Sequence, residues 1–376
     1  MLYNKKVDFH AHILTPSYFE FLDKYVGPYP DKFATPKWSE ENHLRLMQSL
    51  GIAYSAMSVS SPHTFVVENI DDRMAYARAI NDEALDVVSR HPNQMGYFAS
   101  LPLPDVDRSI EMAKDYLDKD GVVGIGMLTN YSGVYLGSDK LDPLMEYLNE
   151  QGAVVCVHPT EPAALPGDAV PDMPIPVMDF LMDTTRAFTN MVWNDKFLKY
   201  PNIQWIWPHG SSFITILSDR FNSFSVQVKK NGSDKKLDYF GSLKHCYFDT
   251  AGFSAPKQIH DMKMDIPTSH FLYGSVCPYT PSIACVALDG QLEKTPELTS
   301  AEKKKMFTTN GYALIPGLEE SLKRTKFPVA DRAKRSALGS VMNEFGKISR
   351  RKSGHAQQHP GSAAAESGCF FYPKCA

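Results

Sequence analysis

Eight short apolar runs recur along the chain, each followed by a longer stretch with helical periodicity. The runs are Val7–His10, Tyr54–Val59, Gly96–Ser100, Val122–Met127, Ala153–His158, Ile203–Pro208, Cys246–Asp249 and His270–Gly274. Glu41–Ser49 carries Leu44 and Met47 on one helical face, continued by Leu50. Asp71–Arg90 opens with acids and carries Met74, Ala77, Ile80 and Leu85. Ser109–Lys119, Leu141–Gln151, Met178–Lys199, Phe213–Val228, Ala255–Met264 and Ala301–Leu314 follow in the same manner. Apolar periodicity with acidic starts predicts a helix at each. Strict alternation of strand and helix predicts an α/β fold, a (β/α)8 TIM-like barrel. A doubly wound open sheet is the competing arrangement. No GxGxxG follows the first run, which disfavours a dinucleotide-binding sheet.

Two segments break the alternation. Residues 13–40 hold Pro16, Pro28, Pro30 and Pro36 among several aromatics, and a connection this long after a first strand reads as an active-site cover. Pro159, Pro162, Pro166, Pro171, Pro174 and Pro176 make a second, rigid loop over the same mouth. The alternation ends near residue 325. The expected division is a barrel over 1–325 and a basic, disordered tail over 326–376, where Ser, Gly, Ala, Gln and His dominate residues 353–368. The net charge of −4 divides into +6 on that tail and −10 on the rest. An acidic body argues against nucleic acid as the main ligand. No apolar run is long enough for a membrane span, and the six cysteines form no CxxC pair. A cytoplasmic protein is expected.

Chemistry gathers at the ends of the runs. Residues i and i+2 of a strand share a face, so His10 and His12 project together from the end of the first run. His158 ends the fifth run and His209 follows the sixth. Imidazoles gathered at one end of a barrel read as a divalent-metal site, and histidine-rich ligation favours Zn2+, with Mn2+ or Mg2+ as alternatives. His43, His91, His260, His355 and His359 read as structural or surface groups. His63 can approach the mouth from the second loop, although a structural role is the simpler expectation.

The segments Asp8-Phe9-His10-Ala11-His12, Val157-His158-Pro159, Phe180 with Asp183-Thr184-Thr185-Arg186-Ala187, Pro208-His209-Gly210 with Asp219-Arg220, Tyr247-Phe248-Asp249-Thr250-Ala251, and Gly274-Ser275 with Pro278-Tyr279 carry a resemblance. Together they resemble the metal-dependent decarboxylase branch of the amidohydrolase superfamily, the aminocarboxymuconate-semialdehyde decarboxylase-like group, over residues 1 to about 320. The resemblance implies a carboxy-lyase acting on a small aromatic acid, a hydroxybenzoate such as 6-methylsalicylate, and a homodimer with an arginine near the partner's site. It implies that His10, His12 and His158 hold the metal and that His209 acts beside it. It also implies an aspartate, in a Gly-Ser-Asp-x-Pro-Tyr pattern, that is both ligand and proton donor. Here the sequence departs: Val276 stands at that position.

Losing CO2 from such a ring needs a proton delivered to carbon, and valine has none to give. Cys277 alternates away from the site, and Asp249, which the resemblance makes structural, is the candidate substitute acid. Arg186 or Arg220 can bind a carboxylate through a two-pronged fork, or can serve as structural ion pairs. Phe188, Trp193 and Phe19 are candidates for an aromatic wall, with core packing the equal alternative. Two other functions fit the same residues: a metal-dependent hydrolase of a lactone or amide, and a pseudo-enzyme that binds without turnover.

Overall fold

Eight parallel strands form where the apolar runs fall: β1 Lys6–His12, β2 Ile52–Ser58, β3 Met95–Ser100, β4 Val122–Leu128, β5 Val154–His158, β6 Gln204–Trp207, β7 Tyr247–Asp249 and β8 Phe271–Leu272. The computed structural model describes residues 3–165 and 167–324. The strands pair in sequence order. Bridges from Asp8 to Tyr273 and from Ala11 to Cys277 close the sheet on itself. The closing bonds run from the Phe9 amide to the Tyr273 carbonyl (2.9 Å) and from the His12 amide to the Cys277 carbonyl (2.7 Å). The barrel is therefore the fold, and the open sheet is excluded.

Alternation sorts the side chains into two cores. Val7, Phe9, Phe98, Val154, Cys156 and Ile206 pack together, and the Cys156 thiol approaches the Phe9 carbonyl at 4.0 Å. Since β1 and β5 are not neighbours, this set fills the barrel interior. Trp205, Trp207 and Phe248 face outward and pack with Phe188 and Met191 of the helix layer. Leu314, Leu318 and Leu322 join the interior cluster, and Lys5 Nζ donates to the Leu322 carbonyl at 2.9 Å. The last described helix, Leu318–Arg324, thus packs against the interior cluster. Residues 326–376, the expected tail, lie outside the described residues.

The helices depart from expectation in informative places. The cover after β1 is partly helical: Pro16–Tyr25 starts at Thr15, whose side chain accepts from the Tyr18 amide, with Pro16 in the first turn. The expected helix Met178–Lys199 is two, Asp179–Trp193 and Lys196–Lys199, divided at Asp195 with φ +52°. Helix Tyr239–His245 was not foreseen. Nor was Ser282–Lys294, the helix that follows β8. This helix buries Asp289 and Glu293 beside Cys285, Ala287 and Leu292, so its inward face is not apolar in the sequence. The reason is Lys6, fully buried on β1, whose ammonium pairs with Asp289 and, at 3.1 Å, with Glu293. Among the described residues no helix is long and apolar enough to cross a membrane.

Asp183 shows how buried polarity ties the mouth to the frame. It lies fully buried on helix Asp179–Trp193. Its carboxylate accepts from Thr129 Oγ1, from Asn130 Nδ2 (2.9 Å), from Tyr135 OH (2.5 Å) and from Arg186 (3.0 Å). Asp183→Ala is expected to strand these donors and lower stability by about 3 kcal/mol, read as a fall in Tm.

Candidate metal centre and its surroundings

β1 carries one residue more than β2 between Asp8 and Ala11: Asp8 pairs with Ser55 and Ala11 with Met57. The extra residue is a bulge, and bulges re-aim side chains. Below it Val7 and Phe9 face the interior; above it His10 and His12 do so. Asp8 braces the bulge, its Oδ1 accepting from the amides of His10 (3.0 Å) and Ser275 (3.1 Å). That second bond ties β1 to the loop after β8.

His10, His12 and His158 bring ring nitrogens within 4.8 Å of one another. Ring centres are 5.2 Å apart for His10 and His12, 5.4 Å for His10 and His158, and 4.9 Å for His12 and His158. His209 stands 4.8 Å from His10 and 6.0 Å from His158, on backbone at φ +57°. All four sequence-predicted histidines are therefore assembled at the C-terminal mouth.

Their hydrogen bonding suits a cation. His10 Nε2, both ring nitrogens of His12 and His209 Nδ1 are buried without a hydrogen-bond partner. Such orphans cost about 1–3 kcal/mol each unless something else binds them. Asp249 Oδ2 lies 2.8 Å from His10 Nδ1, which fixes the proton there and leaves the Nε2 lone pair free. The Pro159 carbonyl does the same for His158 Nδ1 at 2.7 Å. Burial, reinforced by the neighbouring rings, pushes His12 and His158 well below the ordinary histidine range and His209 down to about 3. His12, His158 and His209 are thus neutral at pH 7, the form that ligates metals. The donor set fits a divalent metal.

Asp249 cannot stand in for the missing acid. Its Oδ1 also accepts from the amides of His209 (2.9 Å) and Ala251 (3.0 Å), so both oxygens are engaged. Burial works to raise this carboxyl, and His10, His209 and the Ala251 amide together outweigh it, leaving it lowered. Its work is orientation. Asp249→Asn is expected to weaken metal binding by about 10- to 100-fold, measured by competition with a chelating dye.

Val276 lies past β8 between the two closing bridges, at φ +60°. Its amide donates to the His10 carbonyl at 2.7 Å, and its own carbonyl accepts from Thr280 at 2.9 Å. The residue therefore adjoins a candidate ligand, in a conformation unusual for a β-branched side chain. Cys277 belongs to the outer apolar core, and burial raises its thiol to about 12.

The remaining candidates sit elsewhere. Phe188 is fully buried outside the barrel against Phe197, Trp207, Tyr239 and Phe248. Phe180 of the same helix is the ring that meets His158, at 5.6 Å. Eight residues of helix separate Phe180 and Phe188 by about 12 Å, which removes Phe188 from the proposed wall. Trp193 lies farther along, 41% exposed against Phe221 and Lys235. Phe19 packs with Tyr18 in the cluster under the cover, which also includes Tyr279. Arg186 is engaged by Asp183, and the exposed Arg220 stacks its guanidinium on Phe224 at 5.1 Å.

Sequence reasoning missed Tyr279 as a neighbour of the cluster. Its ring lies edge-on to His12 at 5.3 Å, and its buried hydroxyl faces Ser60 and Tyr18. His63 is also buried with both ring nitrogens unpartnered, near enough to His12 to depress it.

A parallel barrel with buried histidines gathered at its C-terminal mouth has the layout of barrel enzymes. The chain belongs to the amidohydrolase family, whose pattern matches residues 7–316. A decarboxylase of Aspergillus niger, yanB, is 31% identical over 288 residues, covering 73% of this chain and 78% of that protein. The 6-methylsalicylic acid decarboxylase of Penicillium expansum is 26% identical over 329 residues, covering 85% and 99%. Among solved structures, an amidohydrolase II matches with a TM-score of 0.77 at 36% identity, over 82% of this chain and 99% of that one. A dihydroxybenzoic acid decarboxylase from Polaromonas, solved with bound manganese and 2-nitroresorcinol, matches with a TM-score of 0.68 over 86% and 98%. Its 19% identity speaks for the fold alone.

Proposed function

We propose that this chain is a metal-dependent, non-oxidative decarboxylase of a hydroxybenzoate such as 6-methylsalicylate, releasing CO2 and leaving a phenol such as m-cresol. The observation that carries the reading is the set of buried, partnerless nitrogens on His10, His12 and His209, assembled with His158 in a barrel whose relatives include named decarboxylases. His10, His12 and His158 would hold the metal, and three imidazole ligands favour Zn2+ over Mg2+, with Mn2+ as the alternative. When bound, the cation supplies Lewis acidity toward the phenol and carboxylate oxygens.

The chain's own groups do the rest. Asp249 keeps His10 facing the site, as its 2.8 Å bond shows. Phe180 and Tyr279 bring rings against His158 and His12, walls suited to a planar aromatic acid. In the reaction a proton is delivered to the ring carbon that bears the carboxylate, the carbon–carboxylate bond then breaks, and its electron pair restores the aromatic ring as CO2 leaves. Val276 cannot supply that proton, and His209, the next group in the cluster, would first have to take one up itself. The test is to load the purified protein with Zn2+ or Mn2+ and measure CO2 release across a panel of hydroxybenzoates. No release from any of them would overturn the reading.

Val276 supports a second reading, a protein that keeps the metal site and binds aromatic acids without turnover. Metal content together with ligand binding but no CO2 would establish it. We also propose a homodimer, supported by Ile216, Phe224 and Phe253, which are 59%, 59% and 80% exposed after β6 and β7. Sedimentation velocity should give a dimer mass.

A further inference from the structure

Three loops meet at one carboxyl near the histidines. Asp31, in the cover after β1, sits at φ +54°. Its Oδ1 accepts from the Glu161 amide, in the loop after β5, at 3.1 Å. The Ser61 side chain, in the loop after β2, also bonds to it. Ser61 Oγ lies 2.7 Å from Thr160 Oγ1, two residues past His158. The neighbours of Asp31 extend the seam. Lys32 Nζ donates to the Pro171 carbonyl at 2.7 Å, and the Phe33 ring lies 6.4 Å from Tyr279, the ring that flanks His12.

The groups around this carboxyl are poor company for an anion. Facing it are the Ser61 hydroxyl, the Glu161 amide and carboxylate, and the phenols of Tyr18 and Tyr279. Burial, with the Glu161 charge adding, pushes the Asp31 carboxyl up to about 7. In its uncharged form the carboxyl offers one donor and further acceptor capacity, which matches a hydroxyl and an amide. An acid used for charge would be placed beside a cation; this one is placed where its shape and hydrogen bonds are what the site uses.

We propose that Asp31 is a positioning residue for the decarboxylation: it clasps the β1 cover to the loops after β2 and β5, closing the wall that holds the aromatic acid against the histidine cluster. The clasp rests on the function proposed above for its kinetic consequence, but not for its mechanical one. Connections of this length gain order only from bonds that fix them, and small misplacement of substrate is costly in rate.

The test compares Asp31→Asn and Asp31→Ala in the full metal-loaded chain. Asparagine keeps an uncharged donor and acceptor; alanine keeps neither. Asp31→Asn should hold KM and kcat for 6-methylsalicylate within about threefold, whereas Asp31→Ala should raise KM by about tenfold or more with a smaller change in kcat. Metal content should be unchanged in both. Hydrogen exchange over residues 28–38 should quicken in the alanine variant and not in the asparagine variant, a readout independent of turnover. Asparagine as impaired as alanine, or alanine without faster exchange, overturns the clasp. If the wild-type chain releases no CO2 from any hydroxybenzoate, the proposed function fails and the exchange result alone decides the clasp.

Discussion

Val276→Asp is expected to raise CO2 release from 6-methylsalicylate by about 10²-fold or more. The backbone around the position is tied on every side: Ser275 to Asp8, Val276 to His10, and Cys277 to the Ser275 hydroxyl at 3.2 Å. Little can shift to let another residue take its place beside the histidines. An aspartate there would add an anionic oxygen to a set of imidazole ligands, so metal affinity should rise with the rate. Stability should not fall. Valine at φ +60° sits in the left-handed region that aspartate and asparagine enter more readily, and such strain is worth about 1–3 kcal/mol. Val276→Asn separates the two effects, since it relieves the backbone but carries no acid proton. The asparagine form should gain stability without gaining rate. Both variants and the valine form are to be assayed after equal metal loading. Brisk turnover by the valine form, equal to that of the aspartate form, would place the proton source elsewhere.

The barrel was legible because strand and helix alternate in the sequence with the period each requires, and because parallel strands buried on both faces read as short apolar runs. The assembly of four histidines was legible from strand ends. The bulge in β1 was not: simple alternation puts His10 and His12 on one face, but says nothing of the extra residue that carries that face into the barrel beside His158. Ser282–Lys294 escaped notice because Lys6, far away in sequence, makes its buried acids tolerable. Phe188 and Trp193 follow the Asp183 motif in the chain, yet a helix carries each successive turn farther from the mouth. Asp31 had no sequence signal at all, and the motif around Asp183 gave no hint of its buried donors. Each acts through donors on loops or strands distant in the chain, and only the fold brings those together.

His12→Ala is expected to abolish stoichiometric metal binding, with affinity falling more than the roughly 10- to 100-fold expected of losing an orienting partner such as Asp249. His12 discriminates a ligand from an ordinary core histidine because it is fully buried and its ring nitrogens make no hydrogen bond of good geometry, although the Ser58 backbone lies near enough to act on it. A structural histidine in a core is normally hydrogen-bonded, and its removal then exposes a partner and leaves a void. Here removal strands no well-formed hydrogen bond. It relieves a desolvated imidazole worth about 1–3 kcal/mol and opens a cavity of comparable cost. The metal-free Tm should therefore change little. The metal-loaded Tm should change greatly: a cation at 100 times its Kd stabilises the native state by about 2.7 kcal/mol, and that increment should vanish in the variant. Differential scanning calorimetry with and without Zn2+ reads both quantities, and elemental analysis reads the metal itself. A variant that still takes up one equivalent of metal and keeps its zinc-dependent rise in Tm would remove His12 from the ligand set.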